Sequence, residues 1–266
     1  MRHRLHVVVA LALLARLAAA DETAPTRDGA AVAAEALGRM LADNARFAGA
    51  HPHDFFDRFR DAQHPRATVV GCADSRFQTN DFAADPDGDL FMIRNIGNQI
   101  DSNAGSVEYG VRHLHTPLLL VIGHVGCGAV RAAMSDYGAE SPLVRRELDG
   151  LHLSIWRTRA DTGSFDERWL RNVLGNVHQQ VEDARHEYAE EVRAGRLVVV
   201  GAIYDFRNDL GGGPGRLTIV NVNGETDPHR LAASPFLRAA LSHPASTATP
   251  RVTSPAGPAR APRHDH

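Results

Sequence analysis

Two short apolar runs in this sequence each end in a glycine that is followed directly by a potential metal ligand. Residues 67–71 precede Cys72, and residues 118–123 precede His124, with Cys127 three positions further on. Continuous apolar runs of this length are typical of strands that are buried on both faces of a parallel sheet. Because the carboxyl ends of parallel strands meet at one edge of such a sheet, the three residues can converge there.

These three residues carry the donor atoms that Zn²⁺ selects. Thiolate and imidazole are ligands that favour Zn²⁺, and a site with three protein ligands keeps its fourth position for water or substrate. The chain has only two cysteines, so Cys72, His124 and Cys127 predict one zinc site with an open position. A structural zinc site stays an alternative, in which Asp74 would close the fourth position permanently.

Two charged residues follow Cys72 at short spacing. Asp74 and Arg76 are close enough to meet in a tight turn, and a carboxylate that is bound by a guanidinium stays ionised and fixed in orientation. Beside a metal, Asp74 can accept a hydrogen bond from metal-bound water and orient that water toward an electrophile. The alternative is a structural ion pair in a turn, which would be preferred if Cys72 did not lie beside it.

The first 20 residues have the order of a secretory signal peptide. Arg2 and Arg4 precede an apolar run over residues 7–15, and three alanines at 18–20 supply the small residues of a cleavage site. The run is too short to cross a bilayer. Arg16 interrupts it, so an uncleaved amphipathic start is the alternative. We expect a secreted or periplasmic protein.

Export affects how the two cysteines are interpreted, because two cysteines in an oxidising compartment ordinarily form a disulfide. A disulfide between Cys72 and Cys127 therefore stays open as an alternative to zinc. It would explain neither the position of His124 nor the charged residues that follow Cys72, so zinc is the preferred interpretation.

The wider pattern alternates strands with helices. Strands are predicted at residues 68–71, 90–93, 118–123, 197–204 and 217–222, and helices at 30–48, 106–114, 129–135 and 165–194. This alternation predicts an α/β fold with a central, mostly parallel sheet that is flanked by helices. Residues 205–216 are too few for a crossover helix, so the last strand is predicted to be an antiparallel edge strand.

The chain is predicted to contain a signal peptide over residues 1–20, one folded domain over 21–240 and a disordered tail over 241–266, where Pro, Ala, Ser and Thr dominate. The net charge of −3 is ordinary for a soluble protein and does not indicate nucleic-acid binding. No segment is long and apolar enough to predict a transmembrane helix, so no membrane partner is expected.

Four sequence blocks, in this order, resemble the β-class carbonic anhydrases. The blocks are Cys72-Ala73-Asp74-Ser75-Arg76, Arg94-Asn95-Ile96-Gly97-Asn98, Glu108-Tyr109 and Gly123-His124-Val125-Gly126-Cys127-Gly128. The resemblance extends from about residue 63 to residue 222. It implies one Zn²⁺ per subunit and an N-terminal helix that embraces a partner, giving a homodimer or a dimer-based oligomer.

Carried over by position, the resemblance implies that Cys72, His124 and Cys127 are the zinc ligands. It further implies that Asp74 and Arg76 form a catalytic pair, which orients a zinc-bound hydroxide for attack on CO₂ and so yields bicarbonate. Hydrolysis of CS₂ or carbonyl sulfide on the same scaffold stays open, as does zinc binding without catalysis.

The resemblance also implies substrate-binding roles for four further residues. Gln63 matches a glutamine that hydrogen-bonds substrate across the dimer interface. Phe91, Ile96 and Tyr109 match the apolar wall of the substrate pocket.

Overall fold

The computed structural model describes residues 28–157 and 162–242. The chain forms two compact units, which meet in sequence between Asp61 and Ala62. The described part of the first unit contains helix α1 (Gly29–Ala50) and the short helix α2 (His53–Asp57). The helix predicted at residues 30–48 is therefore confirmed. The predicted signal peptide and most of the predicted tail lie outside the described residues.

Helix α1 is amphipathic, yet none of its residues is buried. It begins after Asp28, whose side chain accepts a hydrogen bond from the backbone N–H of Ala30 at 3.0 Å, as is usual for an N-cap residue. Leu37, Met40 and Leu41 are each more than half exposed. The helix thus presents an apolar stripe to its surroundings.

A five-stranded sheet in the order β2-β1-β3-β4-β5 forms the centre of the second unit. Strands β1 to β4 pair in parallel, and β5 pairs with β4 in antiparallel orientation. The predicted α/β fold, with its mostly parallel sheet and antiparallel edge strand, is confirmed. The strands are β1 (Ala67–Cys72), β2 (Leu90–Asn95), β3 (Leu118–His124), β4 (Val198–Asp205) and β5 (Arg216–Val222).

Helices cover the sheet, which explains why polar and apolar residues do not alternate along its central strands. All six residues of β1 are buried, as are all residues of β4 after Val198. The helices of this unit are α3 (Ala104–Glu108), α4 (Gly128–Ala133), α5 (Pro142–Asp149), α6 (His152–Arg157), α7 (Phe165–Glu187), α8 (Ala189–Arg193), α9 (Pro228–Ala233) and α10 (Pro235–Leu241).

Two helices differ from the sequence prediction. The helix predicted at 106–114 is a short α-helix followed by a π-helical turn over Tyr109–His113, at a point where the backbone of Gly110 passes so close to Thr68 that any side chain would clash with its hydroxyl. The helix predicted at 165–194 is interrupted at Tyr188, which has a non-helical backbone and a buried ring. Helices α2, α5, α6, α9 and α10 were not predicted from the sequence.

Helix α7 packs across β3 and β4. Its residues Val173 and Val177 lie in one apolar cluster with the last residue of β1 and the residue that follows β3. Val181 and Ala184 lie in a second cluster further along the sheet. No helix within the described ranges has the length and apolar character needed to span a membrane.

Candidate metal centre

The structure brings Cys72, His124 and Cys127 together at the carboxyl edge of the sheet. Cys72 is the last residue of β1, His124 is the last residue of the neighbouring strand β3, and Cys127 directly precedes α4. One donor atom from each residue lies within 4.8 Å of the other two, and all three residues are buried. Gly126 makes the intervening turn possible, because its φ of 65° is one that glycine adopts without strain.

The hydrogen bonding of His124 identifies its free lone pair. Nδ1 lies 2.9 Å from the carbonyl oxygen of Val125, and a carbonyl can only accept, so Nδ1 carries the proton and Nε2 carries the lone pair. Nε2 is buried without a hydrogen-bond partner among the described residues. An imidazole lone pair that is fixed by a bond at the other nitrogen is the usual arrangement of a metal ligand.

The two sulfur atoms lie 4.0 Å apart, and both cysteines are free. A disulfide would require about 2.05 Å, so the structure does not contain the alternative disulfide. The contact with Cys127 lowers the pKa of Cys72 to about 4. The same contact, together with burial, raises the pKa of Cys127. One of the two thiols therefore loses its proton easily, whereas loss of the protons from both thiols is unfavourable unless a cation is bound.

The position of Cys127 favours its thiolate form. Cys127 directly precedes α4, and a place at a helix N-terminus favours the thiolate, which is the form that binds metal. With the lone pair of His124, these features fit Zn²⁺. Within the described part of the chain, the group contains three ligands and does not include Asp74.

The Asp74–Arg76 pair lies beside this group. Arg76 donates from Nε to Oδ1 at 2.9 Å and from a terminal nitrogen to Oδ2 at 2.6 Å, and its backbone N–H also donates to Oδ1. These bonds hold the pKa of Asp74 well below its ordinary value. Oδ2 lies 3.8 Å from Nε2 of His124. A further bond from Arg76 to the carbonyl of Gly126, at 3.0 Å, ties the pair to the turn before Cys127.

Arg94 supports the loop that carries this pair. Its guanidinium donates to the carbonyl oxygens of Cys72, Asp74 and Phe77 at 2.9, 2.8 and 2.7 Å, and to the side chain of Gln78 at 2.9 Å. The planar, five-donor guanidinium is suited to binding several acceptors at once. Sequence reasoning gave Arg94 no definite role, because the carbonyls that it binds carry no sequence signal.

A model of the carbonic anhydrase family matches residues 67–211, more than half of the chain. The chain belongs to this family. A carbonic anhydrase from Mycolicibacterium smegmatis is 36% identical over 172 residues, which cover 60% of this chain and 83% of that protein.

Solved structures identify the class. A tetrameric β-carbonic anhydrase from Sordaria macrospora has a TM-score of 0.63 at 25% identity, covering 70% of this chain and 98% of that one. A β-carbonic anhydrase from Aspergillus fumigatus has a TM-score of 0.62 at 26% identity, covering 74% and 95%. The resemblance to the β class is confirmed, and the protein is an enzyme of the carbonic anhydrase class.

The four residues with expected substrate-binding roles lie in different places within this β-class fold. Gln63 is exposed, shortly before β1. Ile96 directly follows Asn95, the partner of Cys72 in the β1–β2 pairing. Phe91 lies four residues earlier on β2, about 13 Å along the strand from Asn95, and its ring centroid is 5.8 Å from that of Tyr109. Within one chain, Ile96 therefore lies at the metal end of the sheet, whereas Phe91 lies near the opposite end of β2.

Proposed function

We propose that this enzyme catalyses the reversible hydration of CO₂ to bicarbonate and a proton at a Zn²⁺ ion held by Cys72, His124 and Cys127. The observation that carries the proposal is the group of three buried donor atoms within 4.8 Å of one another, with the lone pair of His124 Nε2 lacking any other described partner. Three protein ligands are the number that a catalytic zinc site uses. Relatives that are named carbonic anhydrases support the reaction.

The residues beside the group have defined tasks in this reaction. Bound there, Zn²⁺ would supply Lewis acidity, which lowers the pKa of water to about 7. Asp74 accepts a hydrogen bond from the attacking water and so directs a lone pair of that water toward the carbon of CO₂. Arg76 keeps the carboxylate ionised and binds both of its oxygens, so Asp74 acts as an acceptor and not as an acid at neutral pH.

Stopped-flow CO₂ hydration on protein of known metal content tests this proposal. Wild-type protein should contain about one Zn²⁺ per chain and be active, and Asp74→Asn should lose about 10²-fold in kcat, the lower end for a positioned proton acceptor. Asp89→Asn is the control, because Asp89 forms an ion pair with Arg66, at 2.7 Å, outside the metal group. Full activity in Asp74→Asn would remove the role of Asp74. Zinc without hydration would indicate a non-catalytic site.

We further propose that the enzyme is a homodimer or a dimer-based oligomer, in which a second copy completes the substrate pocket with Gln63, Phe91, Ile96 and Tyr109. Two features support this proposal: the distance of Phe91 from the metal end of β2, and the exposed apolar stripe of α1. The tetrameric assembly of the Sordaria macrospora protein is a further support.

Light scattering at known concentration tests the oligomer. We expect the mass of a dimer or a multiple of it, and a shift to monomer in Met40→Asp, since this side chain lies on the stripe of α1. Leu143→Asp is the matched control, because Leu143 is an equally exposed apolar residue on α5. A monomeric wild-type protein would contradict the proposal.

We also propose that the protein is exported, on the basis of the charged, apolar and small-residue order of residues 1–20. N-terminal sequencing of the mature protein should find a start near Asp21. A mature chain that begins at Met1 would refute export.

A further inference from the structure

One buried face of helix α7 contacts both loops that carry the cysteine ligands. Five residues at positions i, i+4, i+7, i+8 and i+11 share this face, as expected for helical periodicity. The apolar members of this set pack in the same cluster as Cys72 and Cys127. The five residues, all buried, are Trp169, Val173, Asn176, Val177 and Gln180.

Trp169 contacts the loop that carries Cys127. Its indole Nε1 donates to the carbonyl oxygen of Cys127 at 2.9 Å. The guanidinium carbons of Arg131 and Arg207 lie over the same ring, at 5.4 and 5.3 Å from its centroid. The ring is therefore held by packing and by cation–π contacts while its single donor fixes the peptide group that follows the ligand.

Asn176, two helical turns further along α7, contacts the loop that supports Cys72. Its side-chain amide donates to the carbonyl oxygen of Gly97 at 2.8 Å. Gly97 lies in the loop that directly follows the β2 partner of Cys72. Gln180 accepts from the N–H of Ile100 at 2.7 Å, which holds the far end of the loop.

We propose that Trp169 and Asn176 are positioning residues of the metal site, each fixing one of the two sulfur ligands through a single hydrogen bond from α7. The proposal rests on the proposed zinc site. When either bond is lost, the loop relaxes and the sulfur leaves the position set by the fold, so the ion binds less tightly. Partners that orient metal ligands typically change metal affinity by about 10- to 100-fold.

Two substitutions in the full chain remove the donors while retaining bulk. Trp169→Phe keeps an aromatic ring, and Asn176→Leu keeps a side chain of similar size. Val173→Ala is the matched control, because Val173 lies between them on the same buried face and makes no side-chain hydrogen bond. Zn²⁺ affinity is measured by competition with a chelator. The thiolate-to-cobalt absorption bands of Co²⁺-loaded protein report the geometry of the two sulfurs, and melting temperature reports stability.

We expect Zn²⁺ affinity to fall about tenfold in Trp169→Phe and in Asn176→Leu, with altered cobalt bands in both. Val173→Ala should lower the melting temperature and leave affinity and bands unchanged. Unchanged affinity and bands in both variants, or an equal change in Val173→Ala, would overturn the proposal. If Asn176→Leu does not fold, the Zn²⁺ affinity and cobalt bands of Trp169→Phe alone test the proposal. A wild-type protein that binds neither Zn²⁺ nor Co²⁺ would instead refute the proposed function, and this inference with it.

Discussion

Replacing Gly123 with alanine should push apart helix α7 and the strand end that carries His124. A Cβ atom at this position would lie 2.6 Å from Cγ2 of Val177 and 3.3 Å from Cδ1 of Ile203. Carbon atoms in contact normally lie about 3.5–4.0 Å apart, so one of these groups has to move by about 1 Å. Val177 is fully buried, and as a β-branched residue in a helix it has one strongly preferred rotamer. The clash therefore falls on the backbone.

The expected loss of stability follows from this geometry. Overpacking of a dense core costs about 1–3 kcal/mol, and a loss of about 2 kcal/mol lowers the melting temperature by about 4–8 °C in a domain of 150–250 residues. Val177→Ala alone removes two buried methyl groups and should cost about 2 kcal/mol. In the double variant the new methyl group occupies part of the space that Val177 vacates. The double variant should therefore lose about 2 kcal/mol of stability, not the additive value of about 4 kcal/mol.

Gly201→Ala provides a matched comparison. Its Cβ would lie 2.8 Å from Cγ1 of Val177, but also 2.9 Å from Cγ2 of Val181 and 3.1 Å from Cβ of Asn221. Val177→Ala relieves only one of these three contacts, so Gly201→Ala should gain little from it. All variants are unfolded by heat and by urea at one protein concentration and one Zn²⁺ concentration, because ligand and partner binding shift apparent stability.

The double-variant result can refute this reasoning. If the losses of Gly123→Ala and Val177→Ala add within about 0.5 kcal/mol, the two positions do not interact in the way that the distances require. If Val177→Ala restored the stability of Gly201→Ala as much as that of Gly123→Ala, the rescue would not be specific to the contact between Gly123 and Val177.

Three further substitutions test other parts of the molecule. Cys127→Ser should abolish stoichiometric zinc, measured by metal analysis after dialysis, because a hydroxyl replaces a thiolate; zinc retained at wild-type affinity would contradict this. Arg112 lowers the pKa of Glu191 below its ordinary 4.5, so the stability from this contact is present above pH 4.5 and is lost as pH falls through the lowered value. Arg112→Met should therefore be about 1 kcal/mol less stable at pH 7, and its difference in melting temperature from wild type should become smaller in acid; a difference that does not change with pH would contradict this mechanism. Asp205 is buried and accepts the N–H groups of Arg207, Asp209 and Leu210, so Asp205→Ala should cost about 3 kcal/mol in urea unfolding, and a loss under about 0.5 kcal/mol would contradict it.

The strands and the metal group could be predicted because their signals are local. Cys72 and His124 each directly follow an uninterrupted apolar run, and Cys127 lies three positions after His124. The parallel pairing that brings Cys72 beside His124 is what such runs form when they alternate with helices. The contact of Asp74 with Arg76 needs only a turn of three residues. The antiparallel orientation of β5 followed from the length of the connection before it.

Other features depend on contacts between distant residues, which a single sequence does not display. The π-helical turn after α3 forms where Gly110 meets Thr68, and α7 ends where the ring of Tyr188 enters the core. Trp169 lies 42 residues from the carbonyl that it binds, and its position in a helix resembles that of any core residue. The separation of Phe91 from the metal end of β2 became visible only with the register of the sheet.

The placement of the proposed ligands after the ends of two neighbouring strands has a mechanical consequence. Cys72 and Cys127 are separated by 55 positions in the chain, and a metal ion bound by both would be a cross-link that closes a long loop. Closing such a loop in the unfolded chain is opposed by entropy, so the ion would bind tightly only while β1 and β3 stay paired. With zinc bound as proposed, a higher free zinc concentration would therefore make separation of these two strands rarer.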